Sequence, residues 1–316
     1  MRDSTRLLLL LLVALTFTGL FIAVGLTADN YEYFLSRRVP KVLAMILAAV
    51  AIAQSSMVFQ TITNNRILTP SIMGFDALYI LTQVLIVVLF GGLSAMVINP
   101  FLNFALSTSL MLIFSLLLFT FYFHKQRANI LVLLLLGVIF GQLFGNVASF
   151  LIMLLDPNEF ASVLNSMFAS FNNVNDELVY WSAPVLALVS VLLYRLNRQL
   201  DVLWLDTDNA ISLGVDVRKV TRYCLILSAV LIAISTAVIG PIMFFGLLVT
   251  NLTREWFRSY QHRVLLVGCS LLSVAILLTG QWVVENLFEF ETQLSVVINF
   301  VGGIYFLSML VRNKVI

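Results

Sequence analysis

The chain has 316 residues, 61% of them hydrophobic and 11% charged, with a mean hydropathy of +1.02 and a formal net charge of +2. A soluble domain of this size cannot hide so much apolar surface, so lipid is the expected solvent for most of it. Connections must then be short, and no room is left for an extramembrane domain.

Arg2 and Arg6 precede an apolar run from Leu7 to Leu26, longer than the ~7–15 residues of a signal-peptide core and followed by no small-residue cleavage site. It is expected to be the first membrane span. Apolar blocks bounded by charge, Pro or Asn predict ten spans near 5–26, 40–62, 72–92, 101–122, 130–154, 179–197, 220–238, 241–257, 263–284 and 294–311. Runs of this length in lipid must be helices, because nothing there can satisfy an open backbone. Spans seven and eight meet at Gly240-Pro241, where Pro suits the first turn of a new helix. The expected fold class is an all-α polytopic membrane protein of about ten transmembrane helices, with residues 1–316 forming one transmembrane domain. Cys224 and Cys269 fall inside apolar blocks and read as buried thiols.

Threaded this way, fifteen of the eighteen Lys and Arg residues lie at the termini and the even-numbered connections. The odd connections carry mostly acids, such as Glu32, Asp156, Glu159, Asp176, Glu177 and Glu285, and their only bases are Arg37, Arg38 and Lys41. Positive charge marks the cytoplasmic side, so both termini are expected inside.

Span centres are almost free of ionisable groups. Asp76 is placed near the inner end of the third span and Glu255 near the inner end of the eighth, which argues against an ion-coupled carrier. His124 and His262 fall in inner connections. No metal-ligand cluster, nucleophile motif or phosphate-binding loop occurs, so no enzyme activity, no metal and no cofactor bound by the chain are expected. Uncharged polar residues do enter the spans: Gln54, Ser55, Ser56 and Gln60 in the second, and Gln142, Asn146 and Ser149 on one face of the fifth. They serve either as interhelical hydrogen bonds or as the wall of a wet pathway; Gln54, Ser56, Gln60, Gln142 and Asn146 are the pathway candidates. Gly137, Gly141 and Gly145 form small-xxx-small steps expected to admit a neighbouring backbone.

Residues 198–222 read RQLDVLWLDTDNAISLGVDVRKVTR. Asp206 and Asp208 can cap a short helix through Ala210 and Leu213, Gly214 can end it in a left-handed residue, and Asp216 can cap a second short helix. Leu205, Ile211, Leu213 and Val215 are apolar on what should be a wet projection, which points to a protein partner. An amphipathic helix on lipid headgroups is the competing reading.

Three stretches carry a family resemblance. Residues 205–222 resemble the coupling region of permease subunits of bacterial iron–siderophore and vitamin B12 ABC importers, the type II importers. RRVPKVLAMILAAVAIAQSSMVFQTITNNRILTPSIMGFDAL, from Arg37 to Leu78, is similar to that family's Arg-x-Pro-Arg start of the second span and the loop after it. AVIGPIMFFGLLVTNLTRE, from Ala237 to Glu255, resembles its Gly-Pro-Ile-x-Phe-x-Gly-Leu segment. The chain departs from the pattern at Thr250-Asn251, at Asn65 to Pro70, and at Gly302-Gly303 near its end, where no proline stands. These departures resemble the iron-chelate branch, where two different permease chains often pair.

The resemblance implies a multi-pass subunit of the bacterial inner (cytoplasmic) membrane that moves an iron–siderophore complex inward from the periplasm. ATP and Mg would be bound by two partner ATPase subunits. The other partners would be a second permease, different or identical, a periplasmic siderophore-binding protein and membrane lipid, with no nucleic acid. It places coupling helices at about 199–219, with ATPase contact through Asp208, Ala210, Leu213, Gly214, Val215 and Asp216. It assigns Arg37, Arg38 and Lys41 to docking on acidic residues of the binding protein, with headgroup anchoring at the helix start as the competing reading. A gradient-driven carrier or channel for a polar solute is the alternative.

Overall fold

The protein is described by a computed structural model. It describes residues 3–24, 26–27, 31–124, 130–172, 174–287 and 293–311. Arg2, Asp29, Lys125, Arg127, Glu289, Glu291, Arg312 and Lys314, all part of the charge pattern, lie outside the described residues.

Among the described residues the regular structure is helical throughout: α1 (Asp3–Ala23), α2 (Tyr31–Ile62), a 3-10 turn (Pro70–Met73), α3 (Phe75–Phe90), α4 (Ala95–Ile98), α5 (Pro100–His124), α6 (Ile130–Ile152), α7 (Pro157–Ser166), α8 (Asp176–Arg195), α9 (Asn197–Leu203), α10 (Thr207–Ser212), α11 (Val217–Ile239), α12 (Phe245–Trp256), α13 (His262–Leu287) and α14 (Leu294–Val311). Seven of them, α1, α2, α5, α6, α8, α11 and α13, are long and apolar enough to cross a membrane; α3 and α14 are shorter apolar helices. With α12 this makes ten apolar helices, as expected.

The core forms around α2, which packs against α8, α11, α12 and α13. From Ala51 to Thr61 every residue of α2 is buried. Small residues make this possible: the Ser273 hydroxyl of α13 reaches the Ala49 carbonyl at 3.0 Å, and the Cys269 thiol lies 3.8 Å from the Ala53 carbonyl. Both cysteines are buried and free. The outer faces of α1, α5 and α6 expose leucine, isoleucine and phenylalanine, as helices in contact with lipid do.

Three boundaries differ from expectation, and two helices are additional. Helix α2 begins at Tyr31 and carries Pro40 inside it. Arg37 lies over Tyr33 and Arg38 over Phe34, 5.4 and 4.6 Å from the ring centroids. These i, i+4 pairs extend the helix N-terminally past the proline. The third block is broken at Gly74 (φ 86°), so α3 starts only at Phe75. The eighth block yields a 12-residue helix, about 18 Å long, which is too short for a ~30 Å hydrocarbon core. Its missing length is supplied by irregular residues 240–244. Finally, α4 and α7 were not foreseen; α7 is a ten-residue amphipathic helix in the connection after α6.

The bundle's two ends are fixed by contacts between distant residues. At one end Arg6 meets the Trp256 carbonyl and the Arg258 amide donates to Asp3. At the other, Arg38 donates to the Val24 carbonyl, Lys41 pairs with Glu285, and the Ser170 amide donates to the Ile239 carbonyl. The segment from Gly240 to Trp256 therefore runs from the Lys41 end to the Arg6 end, and α12 completes a crossing despite its length.

Candidate functional site

The projection at the Arg6 end is built by local chemistry. Asp206 caps α10, its carboxylate accepting from the Thr207 amide at 2.6 Å. At the far end, Gly214 has φ 81°, its amide donates to the Ile211 carbonyl, and the Val215 amide donates to the Ala210 carbonyl at 3.0 Å. This pair of reversed bonds is a Schellman stop, which requires a left-handed residue that only glycine adopts without strain. Asp216 then caps the next helix, accepting from the Lys219 amide at 3.1 Å and pairing with the Lys219 ammonium at 3.0 Å. The Lys219 hydrogen bonds hold the Asp216 carboxyl below the usual carboxylate range.

Two details correct the sequence reading. The helix that Asp216 starts is the long α11 itself, so the short pair is α9 and α10. Ala210, expected in the contact surface, is fully buried: it sits on the inner side of α10 and carries the Schellman carbonyl. The surface consists of Leu205, Ile211 and Leu213, each about 60% exposed, with Asp208 and Gly214 exposed beside them and Val215 half-buried.

Beneath the projection lies a polar cluster that ties it to the core. Asp201 of α9 accepts from the His262 amide at 2.6 Å and faces His262 Nδ1 at 2.8 Å. A carboxylate only accepts, so Nδ1 carries the proton; Nε2 lies 2.7 Å from the Thr61 hydroxyl at the end of α2. His262, expected in a connection, is thus fully buried at the start of α13. Arg254 of α12 reaches the same Thr61 hydroxyl at 3.4 Å and lies 4.0 Å from the Trp204 ring centroid, with Arg66 at 5.9 Å from that ring. The Arg66 carbonyl accepts from Gln60 (2.7 Å) and Asn251 (3.0 Å). Trp204, Asp201 and Arg254 were not singled out from sequence. The available signal was one aromatic residue amid charges in a segment expected to be wet.

At the Lys41 end, the three expected docking residues differ in their engagements. Lys41 is held between Glu285 and Asn172, and Arg38 is turned onto the carbonyls that end α1; Arg37 is exposed. Together they border a cavity of about 340 Å³ with Tyr33, Phe34 and Asn172.

The pathway candidates separate into two groups. Gln54, Ser56 and Gln60 are buried inside the chain, where Gln54 lies 3.3 Å from Ser270, Gln60 lies 2.8 Å from Thr250, and Ser56 packs on Gly246. Gln142 and Asn146 are exposed on α6. Gln142 also lines a cavity of about 420 Å³ with Thr69, Ser71, Asp76, Met243 and Phe306. The glycine steps work as expected at two positions: a Cβ on Gly137 would meet the Met73 backbone at 2.8 Å, and one on Gly141 the Gly74 backbone at 3.1 Å, whereas Gly145 faces open space. Gly141 is the twelfth of the 23 residues of α6. Asp76, two residues after Gly74, therefore sits at mid-depth rather than near the inner end, because the chain from Ile62 climbs to the middle of α6 before α3 begins.

The profile of the FecCD transport family matches residues 6–312. The chain is 47% identical over 314 residues to the petrobactin import system permease protein YclO of Bacillus subtilis (strain 168), covering 99% of each. It is 31% identical to the petrobactin import system permease protein FatC of Bacillus anthracis, over 99% of this chain and 91% of that one. A solved metal-chelate type ABC transporter in an inward-facing conformation superposes with a TM-score of 0.84 at 23% identity, covering 98% and 99% of the two chains. That likeness shows a shared fold.

Proposed function

Because this chain belongs to the FecCD transport family, we propose that it is the membrane-embedded permease subunit of an ATP-driven importer that carries an iron–siderophore complex inward. The observation that carries the reading is the exposed, rigid projection of Leu205, Ile211 and Leu213, a shape suited to a cleft on a separate ATPase. Its backbone is fixed by two acidic caps and a glycine stop, so a push on it moves α9, α10 and α11 as a unit. The relatives' names support a petrobactin-type chelate as cargo.

In this reading the chain is one permease unit in the cytoplasmic membrane with both termini inside, which the fifteen inward bases support. Two ATPases hold ATP and Mg, a second permease completes the pore, and a binding protein delivers cargo on the Lys41 side. Asp208, Leu213 and Gly214 meet the ATPase directly, Val215 and Asp216 set the bend, and Ala210 supports it from below. Arg37 offers the binding protein an exposed charge, while Arg38 and Lys41 fix the helix that presents it. Gln142 and Asn146 face the pathway; Gln54, Ser56 and Gln60 hold α2 to α12 and α13 behind it. Ligand and nucleotide must favour different states of the pore for hydrolysis to drive transport.

The assembled complex in proteoliposomes, with binding protein inside and outside in separate preparations, tests the reading. ATP-dependent uptake of ferric siderophore that requires the ATPase is expected. Uptake driven by an ion gradient in vesicles holding this chain alone would replace the importer by a carrier.

A further inference from the structure

The cavity between the 3-10 turn, α3, α6 and the start of α12 is lined by hydroxyls, one amide and apolar groups, and by a single ionisable side chain, Asp76. Asp76 is 3% exposed; the Ser71 side chain hydrogen-bonds its carboxyl, while its Oδ2 has no hydrogen-bond partner among the described residues. Its depth, level with the midpoint of α6, is where an unpaired carboxylate is most costly and where such groups mark a solute path. Among the described residues no Lys, Arg or His lines the cavity to pair with it. The described residues contain no group of three His, Cys, Asp or Glu side chains that could hold a metal ion. The cavity's 420 Å³ lies at the small end of ligand sites, large enough for an arm of a chelate and too small for all of it.

We propose that Asp76 forms a subsite for a protonated amine of the passing chelate, with Gln142 and the Ser71 and Thr69 hydroxyls as its hydrogen-bonding rim. This deepens the importer reading and rests on it. The cargo supplies the cation that the described lining lacks, so the carboxylate gains a charged partner only while cargo passes. Such a site selects chelates whose backbone carries an amine over those of equal size without one.

Two ferric bis-catecholates of equal length, one linked through a secondary amine and one through an ether, provide the probes. The assembled complex in proteoliposomes should take up the amine chelate faster, and Asp76→Asn should slow that uptake about tenfold while leaving the ether chelate unchanged. Equal slowing of both, as expected of a packing role or of a proton relay, overturns the subsite, as does no slowing of either. A second measurement avoids changing Asp76. Gly145 lines the same cavity with open space at its Cβ, and both native cysteines are buried. In Gly145→Cys the amine chelate should protect the thiol from labelling at concentrations about tenfold below the ether chelate; equal protection, or none, rejects the subsite. If the unmutated complex moves neither chelate, the importer reading fails, and the labelling still decides the subsite.

Discussion

The guanidinium of Arg254 stacks 4.0 Å from the ring centroid of Trp204, joining the half-length helix α12 to the end of α9. A desolvated cation–π contact is worth roughly 2 kcal/mol, enough to make two short elements move together. The contact lies between the exposed projection and the residues that border the mid-depth cavity. It is one physical connection between the proposed ATPase grip and the pathway.

Trp204→Leu keeps an apolar body and removes the π face. The expected outcome is an assembled complex that hydrolyses ATP at near its normal rate and transports several-fold more slowly. Equal loss of both activities would reduce Trp204 to a packing residue.

Leu213→Asp places charge in the centre of the exposed patch without touching the Schellman bonds. The variant should insert normally and fail to co-purify with the ATPase. Undiminished association would remove Leu213 from the interface. Gly214→Val acts differently: it imposes strain of about 1 kcal/mol or more on a left-handed residue and should distort the bend itself.

Lys41 and Glu285 form an ion pair whose side chains are each 17% exposed. Removing one partner by Lys41→Met should cost about 1.5–3 kcal/mol, the range for a hydrogen bond to a charged group, and lower the thermal midpoint in detergent. The swap Lys41→Glu with Glu285→Lys should recover most of the loss. A single variant as stable as the parent would show that the pair contributes nothing.

Gly137→Ala drives a methyl to within 2.8 Å of the Met73 backbone, which cannot yield, and should destabilise by about 1–3 kcal/mol. Gly145→Ala meets nothing and should be neutral or slightly stabilising through helix propensity. Equal effects at the two positions would contradict the packing of the 3-10 turn on α6.

The Asp216 cap carries a pH signature. Its folded carboxyl titrates below the ordinary carboxylate value, so its contribution is present in full above about pH 4 and is lost as pH falls through the folded value. The protection factor of the amides at the start of α11, their exchange measured against the intrinsic rate at each pH, should fall on acidification; Asp216→Ala should show low protection at every pH, and Asp216→Asn should lose the pH dependence of protection while keeping part of the cap.

Much of this was written in the chain itself. Apolar block length dictates membrane helices, because lipid leaves the backbone no other partners. The caps at Asp206, Gly214 and Asp216 follow from local hydrogen bonding that needs nothing distant, and they were placed correctly. What sequence could not settle is which side of a residue faces its own chain. Ala210 and Leu213 are three positions apart, yet one is buried and the other 64% exposed. Gln54 and Gln142 are the same residue in apolar helices, yet only Gln142 is exposed, because α2 is surrounded by neighbours and that face of α6 is not. Depth was hidden for the same reason. Asp76 follows the Thr61 end of α2 closely in sequence, and the contacts of Met73 with Gly137 and of Gly74 with Gly141 lift it to the middle of α6. Local propensities act within one turn of helix, whereas burial and depth are set by the packing of segments far apart in the chain.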